Sequence, residues 1–129
     1  MSDSTRAIYH PVTAMKGLPF SEAVQVGNLL YLSGQVGLAG DGKLARGGIG
    51  PETRQAMENI RAVLERHGSS LDRVVKVTVM LADMNEWAAM NSEYVRFFST
   101  HLPARSAFGT SGLALGARVE IECLASCDG

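Results

Sequence analysis

Near the C-terminus, charged and apolar residues alternate in the run Arg118-Val119-Glu120-Ile121-Glu122-Cys123. Side chains on a β-strand point to opposite faces in turn, so Arg118, Glu120 and Glu122 share one face. Glu120 and Glu122 are then about 6.6 Å apart along the strand. A solvated antiparallel face produces the same alternation, so the pattern is open both to that and to a functional pair of carboxylates. Arg105, between Pro103-Ala104 and Ser106-Ala107-Phe108, enters an apolar strand. Such an arginine is either a cross-strand ion-pair partner or a bidentate anchor for a substrate carboxylate. Asn91 interrupts an apolar helical stripe, where its amide must find partners. It either ties the helix to a strand end or lines a pocket or subunit interface.

Other chemistry-bearing patterns fall short. Gly37-Leu-Ala-Gly-Asp-Gly42-Lys43 has phosphate-loop spacing, but Leu44 stands where Ser or Thr must hold magnesium. The following helix also starts too late to aim its amides at a phosphate. His10, His67 and His101 are scattered, and no HxH, HExxH or CxxC pattern occurs. Cys123 alternates with Val119 and Ile121, which reads as a core thiol. Ser33 lies in Leu-Ser-Gly without the GxSxG elbow of a serine nucleophile.

The elements that must position these groups can be traced from periodicity. Ala23 to Val26 and Leu29 to Val36 form a hairpin about Gly27-Asn28, which tolerates positive φ. Gly37 to Gly50 holds six glycines in fourteen residues and is a long loop. Pro51 to His67 is a helix with Pro51 at its first position, an apolar stripe of Met57, Ile60, Val63 and Leu64, and a stop at Gly68. Val74 to Leu81 is a strand with Val75, Val77, Val79 and Leu81 on one face. Asp83 opens a second helix with Glu86 as a capping-box partner. Its stripe of Trp87, Met90, Asn91, Tyr94, Phe97 and Phe98 carries it to about His101. Arg105 to Thr110 and Ala117 to Ser126 are strands, and Arg6 to His10 is a candidate first strand. The expected fold is α+β, one domain over residues 1–129, a mixed sheet with two helices packed on one face.

Composition sets outer bounds. A chain of 129 residues with 46% apolar and 19% charged residues can bury a core, which excludes a disordered chain. A net charge of -1 argues against nucleic acid as the main partner. No apolar run approaches the roughly 18 residues of a membrane span. The polar start MSDSTRAIYHP lacks a signal core, so a cytoplasmic location with reduced Cys123 and Cys127 is expected.

Several separated motifs together resemble the Rid family (YjgF/RidA-like proteins). Pro103-Ala104-Arg105-Ser106 followed by Val119-Glu120-Ile121-Glu122 is similar to its C-terminal signature. Gly27-Asn28 through Leu32-Ser33-Gly34-Gln35, Thr53 through Ile60, Val75 through Val79 and Asp83-Met84-Asn85 continue in order, as do Met90-Asn91 through Phe97-Phe98. The resemblance implies a chorismate-mutase-like α+β domain, assembled as a homotrimer with active sites at the subunit interfaces. It implies hydrolysis of 2-imino acids or their enamines to 2-keto acids and ammonia, with no metal or cofactor. Arg105 would hold the substrate carboxylate and Glu120 would activate water. Phe20, Ser33, Gly34, Asn91 and the backbone near Ala107 would line the pocket. Phe20 replaces a usual tyrosine and Ala107 a frequent cysteine, and Gly109 to Leu113 lacks the usual charged or β-branched run. A non-catalytic trimer that binds small carboxylates would need Arg105 but not Glu120. An RNA-acting role, a label some relatives carry, fits poorly with the charge and the lack of an aromatic-basic surface.

Overall fold

The C-terminal alternating run forms strand β7 (Val119–Ser126) in the computed structural model, which describes residues 6–129. Residues 1–5, part of the polar start behind the expected cytoplasmic location, lie outside the described residues. Six further strands complete the sheet: β1 (Ala7–Pro11), β2 (Ser21–Val26), β3 (Leu29–Leu32), β4 (Gln35–Val36), β5 (Val74–Leu81) and β6 (Ala104–Gly109). Their order is β1-β2-β3-β7-β5-β6, with β4 also paired to β7. Among the described residues only β5 and β6 run parallel, joined across helix α2 (Trp87–Tyr94), so the sheet is mixed as expected. Helix α1 (Ile49–Arg66) and α2 cover one face. Between them and the sheet lie the fully buried Leu30, Met57, Ile60, Leu64, Leu81, Met90 and Ile121. Burying each such side chain stabilises the fold by roughly 1.5–3 kcal/mol.

Local chemistry explains most of these elements. Gly27, at φ 60°, makes the two-residue turn between β2 and β3. The α1 stripe of Met57, Ile60, Val63 and Leu64 is buried, and Gly68 follows at φ 79°. Pro51 is the third residue of α1 rather than the first, still within the turn whose N–H groups lack helical partners. Cys123 and Cys127 are both buried free thiols, and burial, aided by the Glu122 charge, pushes Cys123 up to about 12.

Five expectations need correction. The strand expected over Leu29–Val36 breaks at Ser33-Gly34, where the Ser33 N–H and hydroxyl donate to the carbonyls of Glu22 and Ser21. In β5 a bulge lies between Val74 and Lys76, so Val74 enters the core and Val75 is exposed. The second helix ends at Tyr94 and tightens into a 3-10 turn over Val95–Phe97. Asp83 does cap, accepting from the Asn85 N–H at 2.9 Å, but Glu86 does not return the bond. It accepts instead from Arg118 Nη1 at 2.9 Å. Arg118 also lies 3.9 Å from Glu52 of α1, so it sits just outside β7 and does not share the face of Glu120 and Glu122.

A second bulge, where β1 meets β2 around Glu22, turns that carboxylate inward to the C-terminal end of α1. Glu22 there accepts from Arg66 and sits 2.6 Å from His67 Nε2, whose ring stacks on His10. Burial alone would raise the Glu22 carboxyl, but the Arg66 and His67 hydrogen bonds and charges outweigh it and hold the group below its ordinary 4.5. A carboxyl with a lowered native pKa stabilises the fold above its unfolded value, and that stability is lost as pH falls through the native one. Glu22→Gln is therefore expected to cost about 1–2 kcal/mol at pH 7. Urea melts repeated toward pH 3 should show the gap between variant and parent closing.

Candidate functional site

Glu120 lies opposite Val36 of β4 on one side and Met80 of β5 on the other. Its neighbours Val119 and Ile121 are wholly buried under the helices, so the pleat turns Glu120 to the sheet face that the helices leave open. The carboxylate lies against the backbone of Gly34. A Cβ at residue 34 would come 2.1 Å from Glu120 Oε2, so only glycine admits the side chain there. Burial, and then the charge of Glu122, raise the Glu120 carboxyl above its ordinary value. Ser33 precedes Gly34 and its hydroxyl bonds to the Ser21 carbonyl at 2.6 Å, which brings the backbone of half-exposed Phe20 alongside. Ser33, Gly34 and Glu120 thus form one group, with Phe20 at its margin.

Arg105 belongs to the other face. It pairs with Val77 of β5, a core residue, on the sheet's outermost strand β6. Its guanidinium carbon stands 4.8 Å from the centre of the Tyr94 ring and 5.9 Å from that of Trp87. With Asn91, Tyr94, Val95, Leu102 and Pro103 it lines a cleft of about 250 Å³. Among the described residues no carboxylate pairs with Arg105, so the cross-strand ion pair does not form. Among the described residues, Asn91 Oδ1 and Tyr94 Oη are buried at this cleft without a hydrogen-bond partner of good geometry. Burial raises the Tyr94 phenol to about 12 despite the nearby Arg105 charge, so it stays neutral. Ala107, two residues beyond Arg105 and opposite Val79, packs its methyl against the core.

The predicted residues therefore fall into two groups on opposite faces of one sheet: Arg105, Asn91 and Ala107 beside α2, and Glu120, Ser33, Gly34 and Phe20 on the open side. A single chain cannot bring its own Arg105 and Glu120 to one small molecule. Sequence reasoning missed the rings that support Arg105, although Trp87, Asn91 and Tyr94 stand at i, i+4 and i+7 and so share a helical side. It also missed why residue 34 is glycine, which only the strand pairing reveals. Among the described residues no three metal-binding side chains cluster.

The family model described as endoribonuclease L-PSP matches residues 13–127. Protein HMF1 of Saccharomyces cerevisiae is 47% identical over 107 residues, which cover 83% of both chains. The 2-iminobutanoate/2-iminopropanoate deaminase of Mus musculus is 45% identical over 108 residues, 83% of this chain and 80% of the relative. Among solved structures, the Rid-family protein YyfA from Yersinia pestis superposes with a TM-score of 0.86 at 35% identity, covering 93% of this chain and 98% of its own.

The fit of Glu120 against Gly34 can be tested directly. Gly34→Ala meets only the far end of a flexible side chain, so it should cost less than about 1 kcal/mol of stability. It should nevertheless expel the carboxylate into water and lower its pKa. Carboxyl NMR titration of parent and variant measures this, and an unchanged Glu120 titration would contradict the fit.

Proposed function

The chain belongs to the Rid family of endoribonuclease L-PSP-like proteins, and on that premise we propose that it hydrolyses reactive 2-imino acids to 2-keto acids and ammonia. The substrates are of the 2-iminobutanoate and 2-iminopropanoate type named for its mammalian relatives. The working form is a cytoplasmic homotrimer in which each site takes Arg105 from one subunit and Glu120 from the next. One observation carries this reading: an unpaired, half-buried guanidinium and a carboxylate of raised pKa face opposite ways on the same sheet. Only a second copy can join them, and closed symmetry repeats the junction.

The chemistry follows from the groups. The substrate carboxylate forms a two-pronged, charge-assisted contact with Arg105. Glu120, made more basic by burial and by Glu122, takes a proton from water as the water oxygen attacks the C=N carbon. The π pair moves to nitrogen, which receives that proton. Glu120 then carries the hydroxyl proton of the tetrahedral adduct to that nitrogen, the C–N bond breaks as the C=O bond forms, and ammonia leaves behind a keto acid. Imine and water are consumed in equal number, and the sequence of steps draws on no metal or cofactor. Ser33, Gly34 and Phe20 border the carboxylate side, and Asn91 and the Ala107 backbone border the arginine side.

Release of ammonia and keto acid from freshly generated 2-iminobutanoate and 2-iminopropanoate is the direct test. Arg105→Ala should weaken substrate and keto-acid binding about ten- to a hundred-fold, with only partial rescue by lysine. Glu120→Gln should lower turnover roughly a hundred-fold while a keto acid still binds. Turnover at the parent rate in Glu120→Gln would sink the mechanism. A parent protein that binds keto acids through Arg105 without turnover would be a sensor instead, and steeply salt-dependent RNA binding would point to an RNA-acting protein. A stable monomer in sedimentation at micromolar concentration would contradict the shared site.

The pH profile offers a separate check. A base of raised pKa loses activity as pH falls through that pKa, which sets the acid limb of kcat/KM. Glu122→Gln removes a like charge from beside Glu120, so the acid limb should move to lower pH.

A further inference from the structure

Six of the nine arginines lie against carboxylates: Arg54 and Arg96 with Glu93, Arg61 with Glu58, Arg66 with Glu22, Arg73 with Asp128 and Arg118 with Glu86. Arg105 instead lies over two rings. Tyr94 is 5% exposed and fixed in the core beside Phe98, their ring centres 5.0 Å apart. Trp87, one helical turn before Asn91, is 43% exposed, and its ring centre lies 5.9 Å from the guanidinium carbon. A guanidinium bonds carboxylates through N–H groups in its own plane, while aromatic rings attract it through its faces. A carboxylate partner within the chain would occupy the same N–H edge that a substrate needs. Rings do not compete for it.

We propose that Tyr94 and Trp87 are positioning residues that hold the Arg105 guanidinium by its faces, keeping its N–H edge free for the carboxylate of a small 2-imino acid. This rests on the deaminase reading above. Tyr94 does so as a neutral ring, since burial keeps its phenol protonated at working pH although Arg105 draws it the other way. Its face therefore attracts the cation without neutralising it. Trp87 limits the swing of the long side chain toward solvent. The pair selects for a free carboxylate, so an ester or amide of the same substrate gains little from the clamp.

Steady-state kinetics on the imino acids and calorimetry with a keto acid test this in the assembled protein. Tyr94→Leu should raise KM and the keto-acid Kd about three- to thirty-fold, the span of a cation–π contact, with kcat within about twofold of the parent. Tyr94→Phe restores the ring face and should recover most of that affinity. Because Tyr94 is a core residue, Trp87→Leu gives an independent arm on an exposed side chain, with a smaller rise in KM in a protein that melts as the parent does. In an Arg105→Ala background neither substitution should weaken binding further. An unchanged KM in Trp87→Leu and Tyr94→Leu, or a loss confined to kcat, would overturn the proposal. So would Tyr94→Phe proving as damaging as Tyr94→Leu, since the hydroxyl would then be the working group. If the parent releases no ammonia from the imino acids, the deaminase reading fails, and if Arg105→Ala leaves keto-acid binding intact, the Arg105 anchor fails and the clamp with it. If Arg105→Ala weakens binding and the ring variants do not, the clamp alone fails.

Discussion

Neighbouring side chains on a β-strand cannot choose their faces independently, and β7 meets that constraint at the centre of the sheet. Val119, Ile121, Cys123 and Ala125 must all enter the core under α1 and α2. Glu120 and Glu122 are thereby committed to the other face, side by side. The same pleat, carried through β5 into β6, places Arg105 level with Val77 and hence on the helix side. No rotamer change can move either group through the sheet. The separation of Arg105 from Glu120 is thus a consequence of core packing, and the proposal of a site shared between two copies rests on it.

Two carboxylates show how completely surroundings decide chemistry. Glu22 and Glu120 are both withdrawn from water, and burial pushes both upward. Glu22 finds Arg66 and His67, and ends as a firmly ionised cross-link between β2 and the end of α1. Glu120 finds the backbone of Gly34 on one side and a like charge in Glu122 on the other, and ends more basic. The first arrangement serves stability, because an ionised group with two donors gains from being held. The second leaves a carboxylate that has no hydrogen-bond partner among the described residues, a condition that suits the proton abstraction proposed for it.

Much of this was legible because it rests on local periodicity. The alternation of β7, the Gly27-Asn28 turn and the stripe of α1 each follow from residues within one element, and each was found. The bulges at Val75 and Glu22 were not legible, since an extra residue in a strand is defined only against its partner. The break at Ser33-Gly34 has the same origin, in pairing to β7 over a distance of some 90 residues in sequence. Arg118 was misplaced because alternation was extended one residue past the end of the strand. For the proposed site, candidate residues could be listed from the sequence, but their distribution between two faces depends on β7 inserting between β3 and β5, which no local pattern encodes.

That insertion also governs how the chain can reach its fold. β7 is the latest strand in the sequence, yet it joins β1-β2-β3 to β5-β6. While a ribosome is still making residues before 119, the emerging polypeptide holds a three-stranded meander and a parallel pair with no strand between them. Both fragments present unsatisfied backbone edges, and α1 has only part of the surface it will cover. The sheet can therefore be completed only once β7 has been made. Its nascent form is the most adhesive species in its life, and the interval before β7 docks is when a cell's chaperones have the most reason to hold it.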